Sequence, residues 1–297
     1  GMRVLLGFFA SVTAVLLFSY LLVLFPSLPW HTGEYGVPVK DYILQSGNFL
    51  ICGFVLLQVA IDDSRVGRWR SVTGYIALAV LCLANIVFVA TGRTALLVAP
   101  VLALWLGWRE FRWKGLVGAA LLYGIFGGAA ALESPYLKAR LATSLTEVHA
   151  FEKSNALNST SAHLQFLKES LTFVCSAPII GHGTGSIAAQ FRKAAAGKTG
   201  AAGIASVNPH DQILAIGIQL GLVGIAALIA MWIAHLMLFR GVGLTAWIGI
   251  VVVVQNFVSS LVNSHLFDFT QAWLYIFGVG VAGGMALRER DVRVAAR

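Results

Sequence analysis

Charged residues are scarce in this sequence. Only 11% of the 297 residues are Asp, Glu, Lys or Arg, whereas 58% are hydrophobic and the mean hydropathy is +0.80. A soluble domain carries about twice that charged fraction. The composition therefore excludes a soluble globular protein and indicates an integral membrane protein. The net charge of +8 does not indicate nucleic-acid binding, because the basic residues are dispersed and flank apolar runs.

Cysteine and the usual catalytic motifs are also lacking. Cys52, Cys82 and Cys175 are far apart in sequence and form no CxxC pair, so neither a disulfide framework nor a CxxC metal site follows from them. The sequence contains no HExxH, no GxSxG and no acidic DxD-like pair, and Glu133 and Asp211 stand alone. We therefore predict neither a metal nor a cofactor. Any phosphate chemistry would rely on arginines and helix ends.

Long apolar runs are abundant. Windows of about twenty residues predict an all-α, polytopic transmembrane bundle of about eight spans with one large loop. Helices one to five occupy residues 1–132, a loop containing short helices occupies 133–211, and helices six to eight occupy 212–297. The predicted helices are roughly Val4–Phe25, Tyr42–Ile61, Val72–Ala90, Ala95–Trp108, Gly115–Leu132, Gln212–Phe239, Leu244–Val262 and Phe269–Leu287.

No carboxylate, lysine or arginine lies inside these predicted spans. A proton- or ion-coupled transporter usually carries an ionisable group near the midplane, so this absence argues against one. Polar amides are present instead, and we predict that they form hydrogen bonds between helices. They are Asn48, Asn85, Gln255 and Asn256.

Basic residues are concentrated in alternate loops, which predicts the orientation. With alternating crossings, the arginine-rich loops and both ends of the chain fall on one side, and by the positive-inside rule that side is cytoplasmic. The large loop is then external. The arginines that carry this prediction are Arg3, Arg65, Arg68, Arg70, Arg109, Arg112, Arg240, Arg288, Arg290, Arg293 and Arg297.

The large loop has helical patterns of its own. An amphipathic helix is predicted from about Ser161 to Cys175, with Leu164, Leu167 and Leu171 on one face. A second short helix is predicted from Ser186 to Ala196. Between them, Gly181–Gly185 lacks the lysine and the flanking strand of a phosphate-binding loop, which favours a tight turn.

Asn208 and Pro209 are typical of a helix start, which places His210 and Asp211 in the first turn. The partial positive charge there favours a neutral His210 that can accept a proton. The same helix face carries Gly217 and Gly221, which would let another helix come close. The alternative is a capping histidine on an ordinary membrane helix.

Cationic groups also fall on the external side. Arg93, in Thr91-Gly92-Arg93, lies between two spans, where a guanidinium is costly unless it is hydrated, paired or bound to an anion. It is suited to clamping a phosphate, the alternative being a snorkelling arginine. Arg140 follows the end of a span and suits either lipid headgroups or a substrate. His163 opens the amphipathic helix, where a lone histidine is usually a surface residue.

Together these motifs resemble the bacterial O-antigen ligases and the related O-antigen polymerases. His210-Asp211, nine residues and then Gly221-Leu222-Val223-Gly224 is similar to the family signature, although Asp211 departs from the usual Asn, Ser or Gln. Thr91-Gly92-Arg93 is similar to the family's arginine motif, and residues 178–185 (PIIGHGTG) to its glycine-rich loop segment. The family's spans outnumber those predicted here, so the resemblance implies a truncated or shortened member.

The resemblance implies a multi-pass glycosyltransferase of the bacterial inner membrane with a periplasmic loop. Its donor would be an undecaprenyl-pyrophosphate-linked glycan, and its acceptor a lipid A–core sugar or another hydroxyl. His210 and Arg93 would be the catalytic residues. The family's second arginine is replaced by His163, so Arg140 or Lys168 would supply that charge, and Asp211 is a further substrate-binding candidate.

Three alternatives remain at this point. An O-antigen polymerase or a protein O-oligosaccharyltransferase would share the chemistry and differ in the acceptor. A non-enzymatic transporter or lipid-binding membrane protein would not need His210 at all.

Overall fold

In a computed structural model, the described part of the chain comprises residues 1–28, 30, 34–90, 92–133 and 159–295, and it is entirely helical with connecting turns. Nine α-helices are found there, together with a short 3₁₀ helix at Gly200–Gly203. They are α1 (Met2–Leu24), α2 (Tyr42–Arg65), α3 (Trp69–Phe88), α4 (Arg93–Glu133), α5 (Ser159–Ser176), α6 (Ile187–Ala195), α7 (Gln212–Leu238), α8 (Leu244–Ser260) and α9 (Phe269–Ala295). The predicted all-α membrane bundle is confirmed.

Six of these helices contain a stretch long and apolar enough to cross a membrane, fewer than the eight spans predicted. The difference has two sources. Helix α8 is apolar but has only 17 residues, which is at the lower limit of what a span needs. The two spans predicted on either side of residues 109–114 are the two arms of one element, α4, which are joined at a sharp break at Arg112 (φ 56°, ψ −140°). The arms lie so close at this break that a Cβ on Gly115 would overlap the Gly107 backbone. The break is at Arg112, although Pro100 also lies inside the helix.

The chain divides into two compact units. The first comprises residues 1–116, 232–259 and 268–297, and the second comprises residues 117–231 and 260–267. In the first unit, α2 is largely buried and packs against α3. The fully buried Trp247 of α8 donates its indole N–H to the Phe54 carbonyl of α2 at 2.9 Å.

Buried amides connect the helices of the first unit, as the sequence predicts for Asn85 and Asn256. The Gln45 side-chain amide donates to Asn85 at 3.1 Å, and both residues donate to the Ser19 hydroxyl, which joins α1, α2 and α3. Asn256 of α8 accepts the indole N–H of Trp232 from α7 at 3.0 Å. Such bonds satisfy polar groups that lipid cannot.

The second unit has its own core. It is formed by α5, α6 and the first part of α7, whose buried side chains pack together. These side chains are Phe166, Phe173, Ile187, Phe191, Ala215 and Ile218. Both loop helices are therefore confirmed, within two residues of their predicted bounds.

The face of α5 that carries Leu164, Leu167 and Leu171 is not the one that packs in the core. Leu167 and Leu171 are exposed, and the buried hydrophobic side chains are Phe166 and Phe173. The two sets have nearly the same helical spacing, so periodicity alone does not separate them. Phe166 and Phe173 occupy the buried face because their rings pack edge to face on the ring of Phe191, with centroids 5.5 and 5.2 Å away.

Candidate functional site

His210 lies in a turn that precedes α7, and not in its first helical turn. The helix begins at Gln212, and Asp211 caps it by accepting the amide N–H of Leu214 at 2.9 Å. The predicted start at Asn208 and Pro209 is therefore wrong. Asn208 has a different role, because its side-chain oxygen accepts the His210 amide N–H at 2.9 Å. This Asx turn competes with helix formation and delays the start of the helix.

The backbone of His210 is left-handed, with φ 57°. A residue with a Cβ adopts this conformation at a cost of roughly 1–2 kcal/mol, and such residues are often found at functional sites. The Asx turn before it and the cap after it hold the backbone in place. In this conformation the imidazole packs against α5.

Three side chains of the second unit surround the half-buried His210 ring. Phe166 stacks on it with 6.0 Å between centroids and 18° between planes. The His163 ring meets it edge to face, with centroids 4.6 Å apart. The side chain of Asn263, from the segment that follows α8, forms a hydrogen bond with the imidazole. The ring is thus held from two directions by α5 and from a third by residues 260–267.

That third segment is itself fixed to the start of α7. Gln212 is fully buried, and its side-chain oxygen accepts the Leu266 amide N–H at 2.8 Å. The residue that follows the Asp211 cap therefore anchors the segment that carries Asn263.

Burial lowers the pKa of His210 below its ordinary 6.5, and the hydrogen bond with Asn263 opposes this shift. The predicted preference for a neutral ring is confirmed in direction. Its main cause differs from the prediction, because desolvation outweighs other effects. Burial also raises the pKa of Asp211, against the lowering effect of the backbone N–H groups of Leu214 and Ile213. Since its carboxylate caps the helix, Asp211 has a structural role here.

The two glycine motifs of the sequence form one structural feature. Helix α7 breaks at Gly221 (φ 60°, ψ −155°), which frees backbone groups on both sides. The turn at 178–185 satisfies these groups. His182 and Gly183 donate to the carbonyls of Ile218 and Gln219 at 2.8 and 2.9 Å.

In the other direction, Leu222 and Val223 donate their amides to the carbonyls of Pro178 and Ile179 at 2.7 and 3.2 Å. The Gly185 amide donates to the Gln219 side chain at 2.7 Å. The amides of His182, Gly183 and Gly185 are therefore occupied, which confirms a tight turn in place of a phosphate cradle.

Gly217 and Gly221 both allow another part of the chain to approach α7, but not as one helix face. A Cβ on Gly217 would lie 3.0 Å from the Val174 side chain of α5. A Cβ on Gly221 would overlap the Ile179 backbone of the turn. The prediction of a single small-residue face through both glycines is wrong, because the helix breaks at Gly221.

Arg93 belongs to the first unit, where it is exposed as the first residue of α4. Gly92 before it packs so closely on Ser46 of α2 that a Cβ would overlap the hydroxyl. A guanidinium at a helix N-terminus lies at the positive end of the helix dipole, which favours an anion at this position. Within the described residues, Arg93 has no ion-pair partner.

The other predicted binding residues differ in position. His163 contacts His210, as described. Lys168 is exposed on α5, roughly 140° around the helix from His163, and takes no part in the ring contacts. Arg140 lies outside the described residues. Among the residues that are described, no three His, Cys, Asp or Glu side chains gather as a metal site.

Phe166 and Asn263 are the contacts of His210 that the sequence does not reveal. Phe166 follows His163 by one helical turn, a spacing that also fits an ordinary core residue. Asn263 is separated from His210 by more than fifty residues of sequence, and no motif marks it.

The chain was compared with known protein families. A family model described as O-antigen ligase matches residues 78–229, about half of the chain, from α3 into the second arm of α7. The match contains Arg93, both glycine motifs and His210. No curated protein matches the chain.

Proposed function

We propose that this chain, which belongs to the O-antigen ligase family, transfers a glycan from an undecaprenyl-pyrophosphate donor to a hydroxyl acceptor at the periplasmic face of the bacterial inner membrane. The acceptor in this proposal is a sugar of lipid A–core. Family membership supports a ligase- or polymerase-type reaction. The observation that carries the mechanism is the strained, half-buried His210 ring held by Phe166, His163 and Asn263.

In this mechanism the neutral His210 accepts the proton of the acceptor hydroxyl while the hydroxyl oxygen attacks the anomeric carbon of the donor. The bond from that carbon to the pyrophosphate oxygen breaks, and the pyrophosphate leaves with the electron pair. A positioned base contributes typically ~10²–10⁴-fold to such a step. Burial supports the role, because it keeps His210 neutral near pH 7.

Arg93 stabilises the negative charge that grows on the departing pyrophosphate. Its planar guanidinium can donate to two phosphate oxygens at once. The backbone N–H groups in the first turn of α4 add partial positive charge beside it. A second cationic contribution would come from His163 when it is protonated, from Arg140 or from Lys168. A pocket shared by Arg93 and His210 remains a prediction.

Complementation of a ligase-deficient bacterial strain tests the proposal. Wild type should restore surface O-antigen, seen as a ladder on a lipopolysaccharide gel, whereas His210→Ala and His210→Asn should not. Asn tolerates a left-handed backbone, so His210→Asn separates loss of the base from loss of the turn. His182→Ala, in the turn at 178–185, is the matched control and should retain the ladder.

Each outcome has a distinct meaning. A full ladder with either His210 variant would remove His210 from the mechanism. A wild-type chain that never restores the ladder would favour a protein that is not a ligase, such as a non-enzymatic transporter or lipid-binding protein. A wild-type chain that extends a glycan on its lipid carrier without attaching it to lipid A–core would be a polymerase. Attachment to protein would identify an oligosaccharyltransferase.

A further inference from the structure

We propose that the turn at residues 178–181 dips into the membrane and that its isoleucines contact lipid acyl chains. Ile179 and Ile180 are 66% and 74% exposed, as apolar side chains on the membrane-spanning helices are, although they belong to a turn between α5 and α6. Beside them on α7, Leu222 and Val223 are 57% and 62% exposed. Lipid covers this apolar surface because it is continuous with that of a membrane-spanning helix.

The continuity is fixed by backbone hydrogen bonds. The carbonyls of Pro178 and Ile179 accept the amides of Leu222 and Val223, so the turn lies directly against the span. Gly221 and Gly181 allow this approach, because a Cβ on either would overlap the other segment's backbone. The isoleucines therefore lie at the same depth as the first residues after the helix break.

The length of the span indicates that depth. The arm of α7 from Leu222 to Leu238 has about 17 residues and is ~25 Å long. The hydrocarbon core of a bilayer is ~30 Å thick. An arm of this length crosses most of that core, which puts its Gly221 end close to the boundary of the hydrocarbon. Ile179 and Ile180 then reach the acyl chains.

The helix can break at this depth because the backbone groups at the break form hydrogen bonds within the protein. In hydrocarbon, an irregular backbone is tolerated only where its polar groups are paired within the protein. At the break, the Ile218 and Gln219 carbonyls accept amides from the turn, and the Leu222 and Val223 amides donate to it. The turn also has a polar side, at Gly183, Thr184 and Gly185, which is exposed. We infer that this side faces water.

Spin-label accessibility in reconstituted vesicles tests the proposal. Cys175 is exposed and is first replaced by Ser, while the buried Cys52 and Cys82 are kept. A nitroxide is then attached to Ile180→Cys or to its control in the same turn, Thr184→Cys. At Ile180 the label should be reached by oxygen and be several-fold less accessible to an aqueous nickel chelate than at Thr184.

Equal access of the nickel chelate at both positions would place the turn in water and overturn the proposal. Exclusion of both reagents from Ile180 would show that protein covers it, which also overturns the proposal. Should Ile180→Cys fail to yield a monodisperse protein, Ile179→Cys carries the same test. The result is independent of the transfer reaction, since it does not involve His210.

Discussion

At the residue scale, the pKa of His210 depends more on the residues packed around its ring than on the segment in which it lies. The sequence predicts a neutral His210, and the structure confirms the direction of its pKa shift. The prediction attributes this shift to a helix end. The structure attributes it to burial against α5 and residues 260–267, which no local motif encodes.

The pH dependence of transfer should follow the His210 pKa. Since a base must be neutral, kcat/KM should fall as the pH drops through that pKa, and burial places the fall below pH 6.5. The Asn263 hydrogen bond raises the pKa, so Asn263→Ala should move the acid limb to lower pH. It should also reduce the rate near neutrality, by roughly 10-fold, because the ring loses its orientation.

Initial rates between about pH 5 and 8 measure this shift. The His163 ring lies against the His210 ring, so the profile should be repeated in a His163→Gln background. The other titratable groups at the site are Asp211, which caps α7, and His265, in the same segment as Asn263. If Asn263→Ala lowered kcat/KM by the same factor at every pH, Asn263 would have a structural role only.

At the element scale, the break in α7 is the feature that hydropathy does not predict. An apolar window gives the same signal for a straight helix and for two helical arms joined at a glycine. Only the hydrogen bonds with the turn at 178–185 distinguish them, and these depend on tertiary structure.

Gly221→Ala should destabilise the protein. The positive φ and the overlap with the Ile179 backbone both oppose a Cβ, and together they should cost on the order of 2–4 kcal/mol. Gly280→Ala in α9 is the matched control, because a Cβ there meets nothing within 4 Å and alanine favours a helix. Thermal unfolding in detergent should show a lower Tm for the first variant alone. Similar Tm values would contradict the break.

The two faces of α5 allow a second comparison. Phe173→Ala removes a buried ring that packs on Phe191 and should cost about 3 kcal/mol or more. Leu171→Ala, two residues earlier, changes an exposed side chain and should cost less than about 1 kcal/mol. Unfolding temperatures of the two variants measure the difference. A larger loss of Tm in Leu171→Ala than in Phe173→Ala would show that the face with the leucines is the one that packs in the core.

At the scale of the whole molecule, composition predicts most of the architecture. The membrane class, the all-α fold and the positions of the two loop helices follow from hydropathy and period. The number of spans is less certain from hydropathy, because α8 has only 17 residues and the two arms of α4 form one element joined at Arg112. The predicted division at residues 132 and 211 describes topology, which remains a prediction.

Fusion reporters should locate the large loop on the side opposite both termini. In the first unit, Arg65 pairs with Glu110 at 2.6 Å, and Arg109 donates to the Gly243 carbonyl at 2.8 Å. These bonds bring three arginine-rich segments to one end, as a cytoplasmic face would require. Green fluorescent protein should fluoresce after residue 240, and alkaline phosphatase should be active at residue 197. The opposite pattern would refute the orientation.

The pairing between the turn at 178–185 and the break at Gly221 has a consequence for how such chains can be recombined. Each stretch supplies the hydrogen-bonding partners that the other lacks, so neither is complete when it is transplanted by itself. A chimera that exchanges only one of them with a distant relative, or that inserts a single residue into either, should misfold. Exchanging both stretches together should preserve the structure.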